Sequence, residues 1–366
     1  MKILWLTWKD SEHPLSGGAE VVNEELAKRL ADDGHEVVFL VGGFAGGAAE
    51  DARDGFSIIR MGSRISVYWK AYRYYKRHLS EWPDLILDEV NTVPFFAKFY
   101  GRQKNILFVH QLCREIWLYQ MVLPLSLLGY LLEPLYLWLL NDREVVTVSE
   151  STKKDLLRYG FSPDKVHIIS EGIELEPVAS LAIKKYPMPT ILAFGAVRPM
   201  KRTHHIVKAF EILKKTMPDA RLIVAGSLEG RYGRRVERMI RDSIYTRDIQ
   251  CLGKVDAGTK IELMQKSHVL AVASVKEGWG LVITEAASQG TPAVVYDADG
   301  LRDSVRDGET GLVAEHNTPA DLAMKLNEIL RNTGRYARIR ENAWEWSKTI
   351  TFDESYRQFA DILTRV

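Results

Sequence analysis

The stretch EGWGLVITE, Glu277 to Glu285, places two carboxylates eight residues apart around a Gly-Trp-Gly turn. Such a pair is an acid/base couple, a grip on the hydroxyls of a ligand, or one loop charge and one solvated helix charge. The run HVLAVAS before it reads as a strand, and ITEAASQG as a helix ending at Gly290 with Pro292 just beyond. Glu277 then lies in the strand-to-helix loop, and Glu285 one to two turns into the helix. Gly278 and Gly280 flank the first helical N–H groups, a seat for phosphate oxygens. Carboxylates beside such a seat make sense as acceptors for hydroxyls on either side of it. A ligand with a diphosphate between two hydroxyl-bearing groups is a sugar nucleotide.

Two further loops have residue types suited to phosphate. AVRPMKR brings Arg198, Lys201 and Arg202 to the end of a strand, where they form either a diphosphate clamp or a solvated basic loop. In LSGGAE, Gly17 and Gly18 permit close backbone approach to a ligand, and Glu20 begins a helix. Taken alone, that loop also reads as a flexible turn.

The elements that position these loops come in two similar sets. Residues 2–41 read as strand KILWLTW, the LSGGAE loop, a helix with the stripe Val22, Leu26 and Leu30 closed by Gly34, and strand EVVFLV. Residues 190–226 repeat the plan, with TILAFGAV, the RPMKR loop, a helix striped by Ile206, Phe210 and Leu213, and ARLIVAG. DLILDEV, NILFVH and EVVTVS extend the first sheet; IQCLG, HVLAVAS and PAVVY extend the second. Apolar strands alternating with helices predict parallel sheets covered on both faces. The expected organisation is an α/β protein of two doubly wound, Rossmann-like domains facing across a cleft, residues 1–175 and 190–351. The Pro-containing residues 176–189 would be a linker, and a C-terminal helix over about 352–366 would pack back on the first domain. Tyr356, Phe359 and Leu363 form its docking stripe. Ligands of such sheets bind at the carboxyl ends of the strands.

Composition and motifs remove several classes. At 366 residues the chain suits two domains, and a net charge of +1 argues against a dedicated nucleic-acid binder. Cys113 and Cys251 have no metal or disulfide spacing, which fits a reducing cytoplasm. MKILWLTW meets Lys9 and Asp10 too soon for a signal peptide and reads as a strand. No GxxxxGK[ST] occurs, and the glycines of VGGFAGG do not fit GxGxxG, so a P-loop enzyme and a dinucleotide dehydrogenase are disfavoured. No DxD lies on a suitable loop, and metal dependence is not indicated.

These residues resemble a known family. The early GGAE, VTVSES at 146–151, the Lys201 loop and the block EGWGLVITEAASQGTPAVVYDADGLRDSVRDGETGLV are similar to those of retaining glycosyltransferases of the GT-B fold, the group 1 (family four) class. The resemblance implies that Glu277 binds hydroxyls of the donor sugar and Glu285 those of the ribose. Backbone N–H groups around Gly280, Leu281 and Val282 would take the diphosphate, joined by the Gly17–Gly18 loop. Lys201 matches the phosphate-binding lysine, His110 a histidine beside the reacting sugar, and Lys254–Val255 the border of the base. It also implies a nucleotide-sugar co-substrate with no further cofactor, and front-face displacement in which the leaving phosphate helps deprotonate the acceptor. Three positions depart from the pattern: Ala196 replaces the usual arginine, for which Arg198 stands in, while Asp299-Gly300 replaces Gly-Gly and Glu171-Gly172 replaces Asn-Gly. A sugar-nucleotide epimerase and a non-catalytic nucleotide-sugar binder remain as alternatives, the first having no need of the two-glutamate block.

Two segments bear on the acceptor. Ile116 to Leu140 is 25 residues long with Glu133 its one charge. Pro124, Pro134 and Glu133 argue against a single membrane span. It is either a pair of buried or half-buried helices or a surface-inserting element, and Trp117 at its start is expected on the membrane or acceptor face. Arg64 to His78 has five Lys/Arg and five aromatics, with Trp69, Lys70 and Arg73 among them. Such a helix suits an anionic membrane surface, or is an ordinary amphipathic helix with a solvated basic face. Together they lead to the expectation of a peripheral enzyme on the inner face of the plasma membrane that glycosylates a lipid-linked or glycan acceptor. A transferase with a soluble acceptor would share every donor-site feature.

Overall fold

The computed structural model describes residues 1–365; residue 366, the last of the expected C-terminal helix, lies outside the described residues. The chain divides into two compact units. The first comprises Met1–Trp117, Val122–Gly172 and Thr351–Val366, and the second Leu118–Met121 and Ile173–Ile350.

The first unit is built on an eight-stranded sheet. Its elements run β1 (Lys2–Leu6), α1 (Gly18–Asp32), β2 (Glu36–Val41), β3 (Glu50–Arg53), β4 (Phe56–Arg60), α2 (Val67–Tyr74), β5 (Leu85–Glu89) and β6 (Lys104–Val109). They continue with α3 (Ile116–Gln120), α4 (Leu125–Leu140), β7 (Glu144–Thr147), α5 (Glu150–Arg158) and β8 (Val166–Ile168). The spatial order is β3-β4-β2-β1-β5-β6-β7-β8, parallel except for the β3–β4 pair. Ile3 to Leu6 are fully buried because helices cover both faces, so β1 is a continuous apolar run rather than an alternating one. The stripe Val22, Leu26 and Leu30 of α1 is equally buried, and Gly34, at φ +83°, ends the helix in the left-handed region. The order reverses at β1 and β5, where an open sheet leaves a crevice at its carboxyl edge.

The second unit carries β9 (Thr190–Phe194), α6 (Thr203–Leu213), β10 (Arg221–Ala225), α7 (Gly230–Asp242), β11 (Ile249–Gly253), α8 (Ala257–Lys266) and β12 (Val269–Val272). There follow α9 (Leu281–Ser288), β13 (Ala293–Tyr296), β14 (Gly311–Ala314), α10 (Pro319–Arg331) and α11 (Thr333–Ser347). All six strands are parallel, in the order β11-β10-β9-β12-β13-β14, with the reversal at β9 and β12. Helix α12 (Phe352–Arg365) belongs to the first unit. Its Phe359 is fully buried against Trp5 and Phe108, and Tyr356 donates its hydroxyl to Asp33.

Residues 176–189, expected as a linker, are instead tied to the second unit. Val178 N–H donates to Ser288 O at 2.9 Å and Tyr186 N–H to Lys266 O at 2.9 Å. The Lys185 amine reaches Gly290 O at 2.7 Å. The division between the units falls earlier, at Gly172–Ile173.

Pro134, expected to break a helix, sits inside α4. Proline lacks the N–H that would bond the carbonyl four residues back, and Arg114 Nη1 supplies that donor to Tyr130 O at 3.2 Å. Trp117, expected with a membrane or acceptor face, is buried. Its indole N–H donates to Glu133 at 3.0 Å, and its ring lies against Gly129, where an added Cβ would come within 2.4 Å. Glu133 is buried as well and accepts from the Cys113 and Arg114 N–H groups at 2.7 and 2.6 Å. The start of α3 and α4 are thus stapled together by one carboxylate.

The outer face of α4 is apolar. Leu125, Leu128, Leu131, Leu135 and Trp138 are all half or more exposed, and Val122 and Leu123 just before it are three-quarters exposed. Helix α2 buries Val67 and Ala71 and leaves Trp69, Lys70 and Arg73 exposed. Among the described residues, no helix is long and apolar enough to cross a membrane.

Candidate active site

In the first unit, the carboxyl edge of the sheet holds a continuous polar chain. Lys9, just past β1, donates to Glu20 of α1 at 2.8 Å, and Glu20 also accepts from Gly17 N–H at 2.6 Å. This carboxylate therefore shapes the exposed Gly17–Gly18 loop, which leaves the α1 N-terminus open. Asn91 Nδ2 bridges Glu20 and Glu89 at 3.2 and 3.3 Å, and Asn23 Nδ2 donates to Glu89 at 2.8 Å. His110, one residue past β6, places Nε2 3.1 Å from Asn23 Oδ1 and Nδ1 3.5 Å from Glu171 Oε1. Burial pushes the Glu89 carboxyl up to about 7, with the His110 charge working against it. Burial lowers the His110 pKa, but Glu171, Glu89 and Glu20 outweigh it and leave the group raised.

In the second unit, the loops after β9 and β12 meet. Val275 N–H donates to Met200 O at 2.8 Å, which sets the Lys201 turn against the loop carrying Glu277. Lys201 Nζ lies 2.5 Å from Glu277 Oε1. Glu277 N–H in turn donates to Asp299 O at 2.9 Å. That close approach requires Gly300, because a Cβ there would sit 2.3 Å from Glu277 O. Gly278 is half-buried in the same loop, and Gly280, at φ +102°, turns the chain into α9. The N–H groups of Leu281 and Val282, as the first of a helix, have no intrahelical carbonyl partner. Glu285, one turn further, is buried and held by Lys260 Nζ at 2.6 Å. A cavity at the ends of β9 and β12 is lined by Gly195, Lys201, Thr203, Ser274 and Val282. Ser274 Oγ is buried there without a hydrogen-bond partner among the described residues.

The structure thus gathers Lys201, Glu277, Gly278, Gly280, Leu281, Val282 and Glu285 in one unit. In the other, Gly17 and Gly18 are linked to His110 through the polar chain. Arg198 is exposed, Lys254 is exposed beyond β11, and Val255 is half-buried beside it. Sequence reasoning missed Lys260, Asn23 and Glu89. The signal for Lys260 was Glu285 itself, since a buried carboxylate requires a partner. Asp297 and Asp299, an Asp-x-Asp after β13, both face Arg302, and Asp299 also takes Lys276 at 3.0 Å.

Two families match the chain. "Glycosyltransferase Family 4" covers residues 16–177, and "Glycosyl transferases group 1" covers residues 182–346. Among curated relatives, the D-inositol 3-phosphate glycosyltransferase of Xylanimonas cellulosilytica is 28% identical over 61% of this chain and 58% of its own length. That of Rhodococcus jostii is 26% identical over 59% of this chain and 52% of its own. The chain spans little more than half the length of these curated relatives. Among solved structures, sucrose-phosphate synthase of Thermosynechococcus elongatus superposes with a TM-score of 0.81 at 17% identity, covering 100% of this chain and 98% of that one. HepE of Anabaena, solved with UDP-glucose, gives 0.75 at 19% identity over the whole of both chains. WaaG, a glycosyltransferase involved in lipopolysaccharide biosynthesis, gives 0.74 at 17% over 99% of both. With two matched families together running through residues 16–177 and 182–346, and with two parallel sheets in the GT-B manner, this chain belongs to the group 1 glycosyltransferases of the GT-B fold.

Proposed function

We propose that the chain is a retaining glycosyltransferase that moves a sugar from a nucleoside-diphosphate sugar to an acceptor hydroxyl. The observation that carries this reading is the pair of lysine–glutamate contacts, Lys201–Glu277 and Lys260–Glu285, flanking the open N-terminus of α9. Helix N–H groups suit a diphosphate, and the flanking carboxylates suit hydroxyls of a sugar on one side and a ribose on the other. The UDP-glucose bound by HepE, a protein of the same fold, is a ligand of this class.

In the transfer, the bond between the sugar anomeric carbon and the diphosphate oxygen breaks. The acceptor oxygen bonds to the same face, and its proton passes to the leaving phosphate. Lys201 and the α9 N-terminus supply fixed positive charge where negative charge develops, so the site needs no reorganisation as the bond breaks. Neither Glu277 nor Glu285 acts as the base.

The acceptor reading rests on the apolar outer face of α4. A helix of 16 residues spans about 24 Å, short of a bilayer core of about 30 Å. It suits a position in the plane of the membrane, where backbone groups satisfied within the helix cost nothing in an apolar setting. The enzyme would sit on the cytoplasmic face of the membrane and act on a lipid-linked glycan acceptor.

The test is incubation with UDP-, GDP- and ADP-sugars, following nucleotide release with and without membrane extract. Release from one nucleotide series, increased by extract, is the expected result. Donor binding without turnover under every condition would replace the enzyme by a nucleotide-sugar binder.

A further inference from the structure

We infer that Glu171 is a positioning residue which, with Asn23, holds His110 as a doubly protonated imidazolium, so that His110 serves the reaction as a fixed cation and not as an acid or base. The inference rests on the glycosyltransferase reading for its catalytic meaning, and on hydrogen-bond direction for its chemistry.

Direction is settled one residue at a time. An amide has its donors on nitrogen and its acceptors on oxygen. Asn23 Nδ2 donates to Glu89 Oε2 at 2.8 Å, and the other Glu89 oxygen faces Asn91 Nδ2, an arrangement in which Glu89 is ionised and accepts from both. Asn23 Oδ1 is therefore what faces His110 Nε2, and that nitrogen must carry the proton. The second ring nitrogen, Nδ1, faces Glu171 Oε1 at 3.5 Å. A bare nitrogen opposite a carboxylate is repulsive, whereas an N–H opposite it is a charge-assisted contact. Both nitrogens thus carry hydrogen.

The groups around the ring agree on the sign of charge. Glu171 arrives from the segment after β8, Glu89 from the end of β5 with an oxygen 4.0 Å from Nε2, and Glu20 from α1. Lys9, after β1, is the opposing cation and is itself spent on Glu20. Thr152 of α5 donates to the His110 carbonyl, and the Phe108 ring meets the imidazole edge to face, so neither competes for the ring nitrogens. Glu171 first, then Glu89 in its ionised form and Glu20, outweigh Lys9 and burial and favour the charged ring.

The position of Glu171 gives this arrangement its particular interest. In the pattern that the sequence resembles, asparagine precedes the glycine here, and an uncharged amide would favour the second proton less than the Glu171 carboxylate does. With both N–H groups committed to protein, His110 keeps its ring fixed and has no free nitrogen with which to deprotonate an acceptor.

The experiment is a titration of the histidine ring nitrogens by NMR on the full chain. His110→Gln identifies the signal, and Glu171→Gln and Glu171→Asp are compared with the unaltered protein. At pH 7.5 the His110 signals of the unaltered protein are expected to be those of an imidazolium. In Glu171→Gln the ring should lose its Nδ1 proton at a pH at least one unit lower while keeping Nε2–H toward Asn23. Glu171→Asp should restore most of the shift. A neutral His110 at pH 7.5 in the unaltered protein, or an unchanged titration in Glu171→Gln, overturns the inference. Because this readout needs no substrate, it succeeds or fails separately from the search for a donor. Where turnover is found, the alkaline limb of kcat/KM should move with the NMR titration.

Discussion

Lys201 and Glu277 form an ion pair, Nζ to Oε1 at 2.5 Å, although one suits a phosphate and the other a sugar hydroxyl. Each satisfies the other, and under the proposed function a bound donor would take both apart. Glu277→Gln should free the lysine: binding of the nucleoside diphosphate alone is expected to be equal or tighter, while sugar transfer slows. Lys201→Met should instead weaken diphosphate binding, with transfer falling by about 10²–10³ through loss of charge opposite the leaving group. Calorimetry with the diphosphate and single-turnover kinetics separate the two. Equal loss of diphosphate affinity in both variants would make the pair a structural tie between the β9 and β12 loops.

Lys260 approaches one oxygen of the buried Glu285 at 2.6 Å and leaves the other available to a ligand. Glu285→Ala is expected to weaken donor binding by about 1–3 kcal/mol, the range for a hydrogen-bonded charged group. Lys260→Met should reduce discrimination between ribo- and 2′-deoxyribonucleotides, because the carboxylate loses its fixed orientation. Competition binding with both nucleotides measures it. A discrimination ratio unchanged in both variants would move the ribose site elsewhere.

The parts of this site that are local in sequence were legible. The strand runs, the stripe of Val22, Leu26 and Leu30, and the Gly280 turn into α9 each follow from residues within one element. What failed was long-range compensation. Pro134 reads as a helix breaker until Arg114, 20 residues earlier, supplies the missing donor to Tyr130 O. Trp117 reads as an interfacial aromatic until Glu133 and Gly129 give it a buried seat. Residues 176–189 lack periodicity, yet their backbone groups are tied to α8 and α9. Lys260 and Glu285 sit on separate helices, and no spacing rule joins them.

Lys185 gives a pH dependence with a definite sign. Burial, with Arg340 nearby, lowers its pKa to about 6, while its amine donates to Gly290 O and Thr291 Oγ1. In the unfolded chain a lysine titrates near 10.4. Between about 6 and 10 the unfolded state binds the extra proton, so this group makes stability rise with pH across that window and contributes no slope below it. Chemical denaturation of the unaltered protein and Lys185→Met at pH 6.5, 7.5 and 8.5 should show the difference between them changing steadily in that direction. Parallel curves would mean that Lys185 is charged in the folded protein.

The outer face of α4 makes the strongest claim about location. Leu131 and Leu135 lie one turn apart and are 62% and 52% exposed, so charge can be placed there without opening the core. If the face enters a bilayer, Leu131→Asp with Leu135→Asp should remove the chain from floated vesicles, and high salt should not remove the unaltered protein, because burial of apolar surface is not screened. Loss of Lys70 and Arg73 from α2 should instead lower binding only to vesicles containing anionic lipid, in a salt-dependent way. Unchanged thermal unfolding of the leucine variant shows that the fold survives. Should that variant float like the unaltered protein, the α4 face is not the membrane contact. Should the unaltered chain stay with the soluble fraction on every vesicle, the peripheral assignment fails outright while the donor-site chemistry stands.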